Sequence, residues 1–180
     1  MRSVRAVVLL EPGSVDNLVL RTLPIPPPRN GWVRIRVEAF GLNRSELMTR
    51  LGLSGDAVSY PRVLGIECAG VVAEAPAGSG LVPGKQVVAL MGGMGRSYDG
   101  GYAEYTSVPV SQVIPIATDL PWEVVGALPE MVQTAYGSLT TGLDLRAGQS
   151  ILVRGGTSSV GMAAIALAKA LAAAICSVNA

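Results

Sequence analysis

The sequence predicts a mixed α/β protein in which a β-rich domain precedes a single β-α-β unit. In Trp32–Ala39, apolar residues such as Val33 and Ile35 alternate with Trp, Arg and Glu. This period of two is typical of an antiparallel strand with one face in solvent. Residues 151–178 instead form an apolar strand, a glycine turn, an alanine-rich helix and a second strand, which is the pattern of a β-α-β unit.

Short apolar runs separated by turn residues occupy the first 120 residues. Prolines between Pro24 and Pro28 form a stiff connector that cannot pair regularly. Asn43–Arg50 fits a short helix, because Leu47 and Arg50 lie at helical spacing. The predicted strands besides Trp32–Ala39 are Val4–Leu10, Asn17–Arg21, Ile66–Glu74, Gln86–Met91, Tyr102–Val108 and Gln112–Ile116. Many short strands at this spacing favour a small barrel or sandwich.

The pattern changes after Thr118 to helical spacing and then to the β-α-β unit. The predicted elements are a helix that begins at Asp119 or Pro121 and reaches Leu128, a helix over about Pro129–Thr140, a strand at Ile151–Arg154, a helix that reaches about Ala173, and a strand at Ile175–Val178. We therefore predict two domains, a β-rich domain over residues 1–120 and, over residues 121–180, connecting helices and the start of a parallel sheet.

The composition excludes several functional classes. The chain has 180 residues, a net charge of +1 and no block of like charge, which argues against a nucleic-acid partner. It has no histidine and only two cysteines, which excludes His-based triads, His-containing metal sites and cysteine zinc clusters. Because no secretory signal is recognised at the start, we expect Cys68 and Cys176 to be free thiols and the protein to be cytoplasmic.

The apolar run Val160–Val178 is long enough to approach a membrane span. Lys169 at its centre argues against a membrane helix, because a central lysine costs about 2.5–3.5 kcal/mol on insertion. We interpret the run as a buried helix followed by a buried strand and expect no membrane partner.

The turn before the alanine-rich helix carries most of the dinucleotide fingerprint G-x-G-x-x-G. Gly156 and Gly161 match its first and third glycines, and Ser158 replaces the second. Because free N–H groups and the helix dipole attract a diphosphate at such a turn, the candidate cofactor-binding residues are Gly156, Thr157, Ser158, Ser159, Val160 and Gly161. The alternative is a plain strand-to-helix connection with a serine cap. No Asp or Glu follows Asp144, so either the cofactor carries a 2′-phosphate, as NADP does, or its selecting residue lies beyond Ala180.

Six motifs in order relate the whole chain to a known family. They are Gly41–Glu46, Pro61–Val72, Pro83–Val87, Gly100–Tyr105, Thr134–Leu139 and Gly155–Gly161. On these motifs the sequence resembles the medium-chain dehydrogenase/reductase superfamily, and most of all its zinc-independent quinone oxidoreductase and enoyl reductase branch. The resemblance implies a GroES-like β-barrel domain followed by a Rossmann β-α-β unit, here incomplete, with the substrate cleft between the two domains.

The resemblance also implies chemistry without zinc. Zinc-dependent relatives have a cysteine at the position of Asn43 and a His-Glu pair where this chain has Ile66-Glu67. They also carry a four-cysteine loop that this sequence lacks, and without a metal we expect Glu67 to be structural. The implied reaction is hydride transfer from NADPH to a conjugated C=C bond or a quinone, in which hydrogen bonds stabilise the developing enolate.

The same resemblance assigns roles to single residues. Asn43 would line the cleft near nicotinamide and substrate, with capping of the helix Arg44–Arg50 as the alternative. Thr134 would bind the cofactor near its nicotinamide end, with an ordinary place on a helix as the alternative. Tyr60, a candidate catalytic residue, and Tyr136 are phenols that could reach the cleft, and packing is the alternative for both.

Complete members of this family are much longer, so we expect a truncated form. Two parallel strands and one crossover helix cannot bury both faces of a sheet, and we therefore expect exposed apolar surface and a homodimer. Three functions stay open. They are NADPH-dependent reduction of a small hydrophobic or conjugated carbonyl substrate, a cofactor-free reaction such as that of a cyclase or isomerase, and an interaction module without chemistry.

Overall fold

The computed structural model describes residues 3–178, which form two compact units. The first unit ends at Pro129 and the second begins at Glu130. The strands of the first unit are β1 (Ser3–Leu9), β2 (Leu18–Pro24), β3 (Trp32–Ala39), β4 (Arg62–Val63), β5 (Glu67–Glu74), β6 (Gln86–Leu90), β7 (Tyr105–Pro109) and β8 (Val113–Pro115). Its helices are α1 (Arg44–Arg50) and α2 (Trp122–Val125). The predicted domain limits at residues 120 and 121 stay a prediction.

A five-stranded antiparallel sheet in the order β7-β3-β5-β6-β8 curls into a half-barrel in the first unit. Val33 and Ile35 of β3 are fully buried in its core, where they pack with Cys68 and Val72 of β5. Arg36 lies on the opposite face of β3 and is exposed. The alternation in β3 thus predicts its buried face correctly.

A three-stranded antiparallel sheet in the order β2-β1-β4 completes the first unit. Its core contains Leu9, Leu64 and Tyr102. The two-residue strand β4 was not predicted, because two residues carry no periodicity and only their pairing with β1, Val63 with Val8 and Arg62 with Leu9, defines the strand. The predicted mixed α/β fold class, with a β-rich part first along the chain, is confirmed.

The second unit contains α3 (Pro129–Gly137) apart from its first residue, together with β9 (Ser150–Arg154), α4 (Ser159–Ala170) and β10 (Ala174–Val178). A turn of π-helix, Ser138–Gly142, extends α3. Strands β9 and β10 are parallel, with Ile151 opposite Ile175, and α4 connects them. The predicted β-α-β unit is therefore confirmed.

The predicted burial of the last strand is wrong for this chain, because most of β10 is exposed. Within residues 3–178, β9 is the only strand that pairs with it. Leu152 of β9 and Met162 of α4 are 64% and 57% exposed, which confirms the expected apolar surface.

The apolar run Val160–Val178 is divided between α4 and β10. In the part of the chain that the structure describes, no helix has the length and apolar character that crossing a membrane requires.

Candidate functional site

Polar groups of the first unit converge on Asn43, which immediately precedes α1. The backbone of Asn43 is extended, at the N-cap position of the helix. Its main-chain N–H donates to Oε2 of Glu46 at 3.1 Å. The other carboxylate oxygen of Glu46, Oε1, accepts the N–H of Ile66 at 3.0 Å. The buried carboxylate of Glu46 therefore ties the loop before α1 to the segment before β5.

A second buried carboxylate contacts the side chain of Asn43 from β5. Glu67 is 1% exposed, and its Oε1 accepts a hydrogen bond from Nδ2 of Asn43 at 2.7 Å. Gly41 leaves the space that this carboxylate occupies, because a Cβ on residue 41 would lie 2.1 Å from the same oxygen. Asn43 thus forms a capping box with Glu46 at the start of α1, which is the alternative that the sequence offers for it, and Glu67 binds its side chain from β5.

Burial controls the protonation of the neighbouring groups. It raises the pKa of the Glu46 carboxyl above its ordinary value, and hydrogen bonds from Ile66 and Asn43 offset only part of this effect. Burial also raises the pKa of Cys68, to about 12, and the charge of Glu67 adds to the shift. The pKa of Tyr102 rises through burial and then through the charges of Glu46 and Glu67. The thiol and the phenol therefore stay protonated at neutral pH.

Tyr60, the second predicted catalytic residue, has its hydroxyl bound elsewhere in the same unit. The hydroxyl donates to the main-chain oxygen of Thr49 near the end of α1, at 3.0 Å. The ring packs against the core that contains Leu9 and Leu64. The structure thus brings Asn43 and Glu67 into contact, while the hydrogen bond of Tyr60 holds α1 to the following loop. The catalytic role of Tyr60 stays a prediction.

The predicted cofactor turn lies in the second unit between β9 and α4. Gly155 has φ +75°, a conformation that favours glycine, and its N–H donates to the main-chain oxygen of Val178 at 2.8 Å. Gly156 and Gly161 are required by close packing. A Cβ on Gly161 would lie 2.3 Å from the oxygen of Gly155, and one on Gly156 would lie 2.9 Å from Cβ of Ser177. Close packing therefore explains why positions 156 and 161 are both glycine.

Three main-chain N–H groups at the N-terminus of α4 bear on anion binding. The N–H of Gly161 is bound by the Ser158 side chain, whereas those of Ser159 and Val160 could donate to a ligand. Oγ of Ser158 accepts the N–H of Gly161 at 3.0 Å and donates to the oxygen of Gly155 at 2.8 Å. Among residues 3–178, the N–H groups of Ser159 and Val160 donate no hydrogen bond. Thr157, Ser158 and Ser159 are exposed. The serine cap and the anion-binding turn, which the sequence offers as alternatives, therefore coexist.

Thr134 is an exposed residue of α3. Its Oγ1 donates to Oε1 of Glu130, one turn earlier, at 2.8 Å. This contact is compatible with a place on an ordinary helix, and its predicted role in cofactor binding stays a prediction.

Four residues meet around Asn43, namely Gly41, Asn43 itself, Glu46 and Glu67. Sequence reasoning missed Gly41 and Glu46 as functional residues. A signal for Glu46 is present, because Asn43 and Glu46 have the N-x-x-E spacing of a capping box. No signal within one sequence predicts that Gly41 faces Glu67, since the two residues meet only through the packing of the loop on β5.

Between residues 3 and 178, no three His, Cys, Asp or Glu side chains lie close enough together to hold a metal ion.

Comparison with known proteins identifies the class to which the fold and the turn belong. Residues 29–118, half of the chain, match the family model of the alcohol dehydrogenase GroES-like domain. The synaptic vesicle membrane protein VAT-1 homolog-like of Mus musculus is 35% identical over 163 residues, which are 90% of this chain and 38% of that protein.

Two solved structures extend the likeness to the second unit. An NAD-dependent alcohol dehydrogenase matches with a TM-score of 0.88 and 31% identity, over 96% of this chain and 57% of that one. A mycobacterial protein complexed with NADPH matches with a TM-score of 0.84 and 26% identity, over 97% of this chain and 52% of that one.

A GroES-like domain followed along the chain by a β-α-β unit with a glycine-rich turn defines a dehydrogenase or reductase architecture. The chain belongs to the medium-chain dehydrogenase/reductase superfamily. It spans 38% of the length of the mouse relative and 52% to 57% of the two solved chains.

Proposed function

We propose that this chain is part of an NADPH-dependent oxidoreductase that transfers hydride to a conjugated C=C bond or a quinone without a catalytic zinc ion. The observation that carries the proposal is the N-terminus of α4, where Gly161 permits close packing and two N–H groups donate no hydrogen bond to any of residues 3–178. The NADPH complex of the mycobacterial relative supports a nicotinamide cofactor, and the NAD-dependent relative supports the same class.

The residues at this turn fit a diphosphate. The N–H groups of Ser159 and Val160 lie in the first turn of a twelve-residue helix, where the helix dipole favours an anion. The exposed hydroxyls of Thr157 and Ser159 can donate as well. The hydroxyl of Ser158 already donates to Gly155, so we assign Ser158 to shaping the turn rather than to holding the anion.

A bound nicotinamide would supply the hydride, and the chain's own residues would orient the reactants. Asn43 is held at both its main chain and its side chain, so it can present one fixed polar group. Asn43 and Ile66 stand where zinc-dependent relatives have Cys and His, which supports a reaction without that metal. Residues 145–180 contain no Asp or Glu that could bind the ribose hydroxyls of NAD, which is compatible with NADPH, and a selecting residue beyond Ala180 is the alternative.

The test is a cofactor titration of two variants that differ at one backbone N–H. Ser159→Pro removes that N–H while keeping a residue that suits the first position of a helix. The preceding residue, Ser158, already has φ −72° and ψ 161°, which a following proline tolerates. Ser159→Ala is the matched control, because it removes only the hydroxyl.

We expect NADPH to quench the emission of Trp32 or Trp122 in the native chain and in Ser159→Ala. In Ser159→Pro the affinity should fall about tenfold or more, since a hydrogen bond to a charged group is worth about 1.5–3 kcal/mol. Equal affinity in both variants, or no binding of NADPH or NADH by the native chain, would contradict the proposal.

A cofactor-free reaction on a hydrophobic small molecule is the second candidate function. The side chain at position 158 favours it, because Ser158 occupies the N–H of Gly161 and holds the backbone further from a phosphate than glycine would. Conversion of an enone or polyene by the purified chain in the absence of NADPH would favour this candidate.

Self-association is a further part of the proposal. It is supported by the exposure of Leu152 and Met162 in the second unit. Sedimentation velocity at micromolar concentration tests it, and a monomer contradicts it.

A further inference from the structure

We propose that the proline connector, residues 24–29, is a docking surface for a partner protein that binds a polyproline II helix in an aromatic groove bordered by a carboxylate, as an SH3 domain does. The connector has the sequence Pro-Ile-Pro-Pro-Pro-Arg. This is the spacing P-x-x-P with an arginine two residues after the second proline, and P-x-x-P segments are ligands of such grooves. None of these residues has a part in the proposed function.

The steric rules for proline favour a polyproline II helix in the connector. Each proline ring holds φ at about −65°. A residue that precedes a proline is driven out of the helical region, to ψ of about 120–160°. Pro26 and Pro27 meet both conditions, because each is a proline followed by another proline. Residues 25–29 contain no helix or strand. The conformation that a groove recognises is therefore present before a partner binds, which lowers the entropy lost on docking.

The first unit holds the connector at both ends and in the middle. Pro24 is the last residue of β2 and lies opposite Ser3 of β1. Trp32, shortly after the connector, is the first residue of β3. Between these strands, Nη1 of Arg34 donates to the main-chain oxygen of Pro26 at 3.0 Å. The same side of the connector therefore always faces solvent.

The solvent side carries the residues of the P-x-x-P spacing. A polyproline II helix has three residues per turn, so Pro24 and Pro27 lie on the same edge of it. Both residues are exposed, as is Arg29, whereas Ile25 and Pro26 between the two prolines are half-buried. The fold thus presents the motif residues and packs the spacer residues.

Open acceptors and open space accompany the exposed prolines. Among residues 3–178, the main-chain oxygens of Pro27 and Pro28 accept no hydrogen bond. Because both residues are exposed, Tyr or Trp donors of a groove can reach these oxygens. A cleft of about 750 Å³ lies beside the connector and is lined by Pro27, Arg29 and Trp32. The aromatic side chains of a partner therefore have room along the connector.

Arg29 gives the surface its charge. Its guanidinium lies over the ring of Trp32, 3.9 Å from the ring centroid. The ring of Trp32 meets that of Tyr98 edge-on, with centroids 4.8 Å apart. Stacking fixes the guanidinium plane and leaves the N–H groups at its edge able to bind a carboxylate. No ion pair among residues 3–178 includes Arg29. We therefore assign the complementary carboxylate to the partner.

The probe that tests this surface is a purified SH3 domain that selects P-x-x-P-x-R peptides. Biolayer interferometry on the immobilised native chain measures its Kd, and a synthetic peptide of residues 22–31 is the reference. We expect the folded chain to bind at least as tightly as the peptide, because the strands at both ends hold the connector in shape. Binding of the peptide alone would overturn the proposal, since the fold would then block the surface. Binding of neither would also overturn it and would leave the connector as a spacer only.

Two pairs of variants locate the contact. Pro27→Ala removes a proline of the P-x-x-P spacing, and Pro28→Ala is its matched control at the exposed position next to it. We expect Kd to rise about tenfold in Pro27→Ala and to change little in Pro28→Ala. Equal values of Kd in these two variants would overturn the proposal.

The second pair tests the charge. Arg29→Glu should raise Kd about tenfold or more, because two carboxylates then face each other. Arg21→Glu, a change of the same charge at an exposed position of β2, should leave Kd unchanged. Far-UV circular dichroism checks that each variant is folded, and this pair keeps the test decisive if Pro27→Ala does not fold. A native Kd in Arg29→Glu, or an equal loss in Arg21→Glu, would overturn the proposal.

Discussion

The carboxyl group of Glu67 occupies the space that a side chain at position 41 would fill, and residue 41 is a glycine. A Cβ on residue 41 would lie 2.1 Å from Oε1 of Glu67 and 3.1 Å from the main-chain oxygen of Gly126. The position of a buried carboxyl group next to Asn43 therefore depends on a glycine two residues before the asparagine.

Gly41→Ala is expected to lower the free energy of unfolding by about 1–3 kcal/mol, because the added methyl group overpacks this space. Urea denaturation followed by tryptophan emission measures the change. Gly137→Ala is the matched control, since Gly137 is helical with φ −61° and has no atom within 4 Å of the added Cβ. It should be neutral or stabilising by up to about 1 kcal/mol. A Gly41→Ala variant as stable as the native chain would show that Glu67 can move.

The two cysteines should react at very different rates with a thiol reagent. Cys68 is fully buried and its pKa is raised to about 12, whereas Cys176 is exposed. Because the thiolate is the reactive form, we expect Ellman's reagent to modify one thiol per native chain and two in urea. Cys176→Ser should abolish the native reaction, and rapid labelling of Cys68 in that variant would contradict its burial.

Glu46 should make the stability fall as the pH rises above the carboxyl's ordinary value of 4.5. Its pKa is raised by burial, so the folded chain binds the proton more tightly than the unfolded chain. Ionisation is therefore more costly in the folded state, and the loss is complete once the pH exceeds the raised pKa. The control is Glu46→Gln, which does not titrate at this position.

The measurement is the difference in the free energy of unfolding between the native chain and Glu46→Gln across a pH series that begins below 4.5. As the pH rises, the native chain should lose free energy of unfolding relative to Glu46→Gln, and the difference should then become constant. A difference that does not change with pH would mean that Glu46 titrates alike in the folded and unfolded chains.

Gly161→Ala should disturb the turn before α4 although alanine is the better helix former. The added Cβ would lie 2.3 Å from the oxygen of Gly155, so α4 and the turn must separate. We expect faster amide hydrogen exchange in residues 155–161 and weaker binding of NADPH. Unchanged exchange would indicate that the turn adjusts at no cost.

Much of the fold follows from local pattern. The strand Trp32–Ala39 was predicted with its observed bounds, because alternation marks a strand whose two faces meet different surroundings. The glycine turn and the helix after it were predicted because Gly156 and Gly161 stand at a recognisable spacing. Strand β4 was missed, and β10 was expected to be buried, because both depend on which other strands lie beside them.

The sequence by itself determined the order of the elements apart from β4, the two-part organisation of the chain, the place of Asn43 before a short helix and the family. These features depend on neighbouring residues, whose spacing a sequence records directly. Only the tertiary structure decided that Glu46 and Glu67 both hold Asn43, that Gly41 makes room for a carboxylate and that Tyr60 binds Thr49. Hydrogen bonds between distant segments depend on distances of a few tenths of an ångström, which arise only when loops and strands pack together.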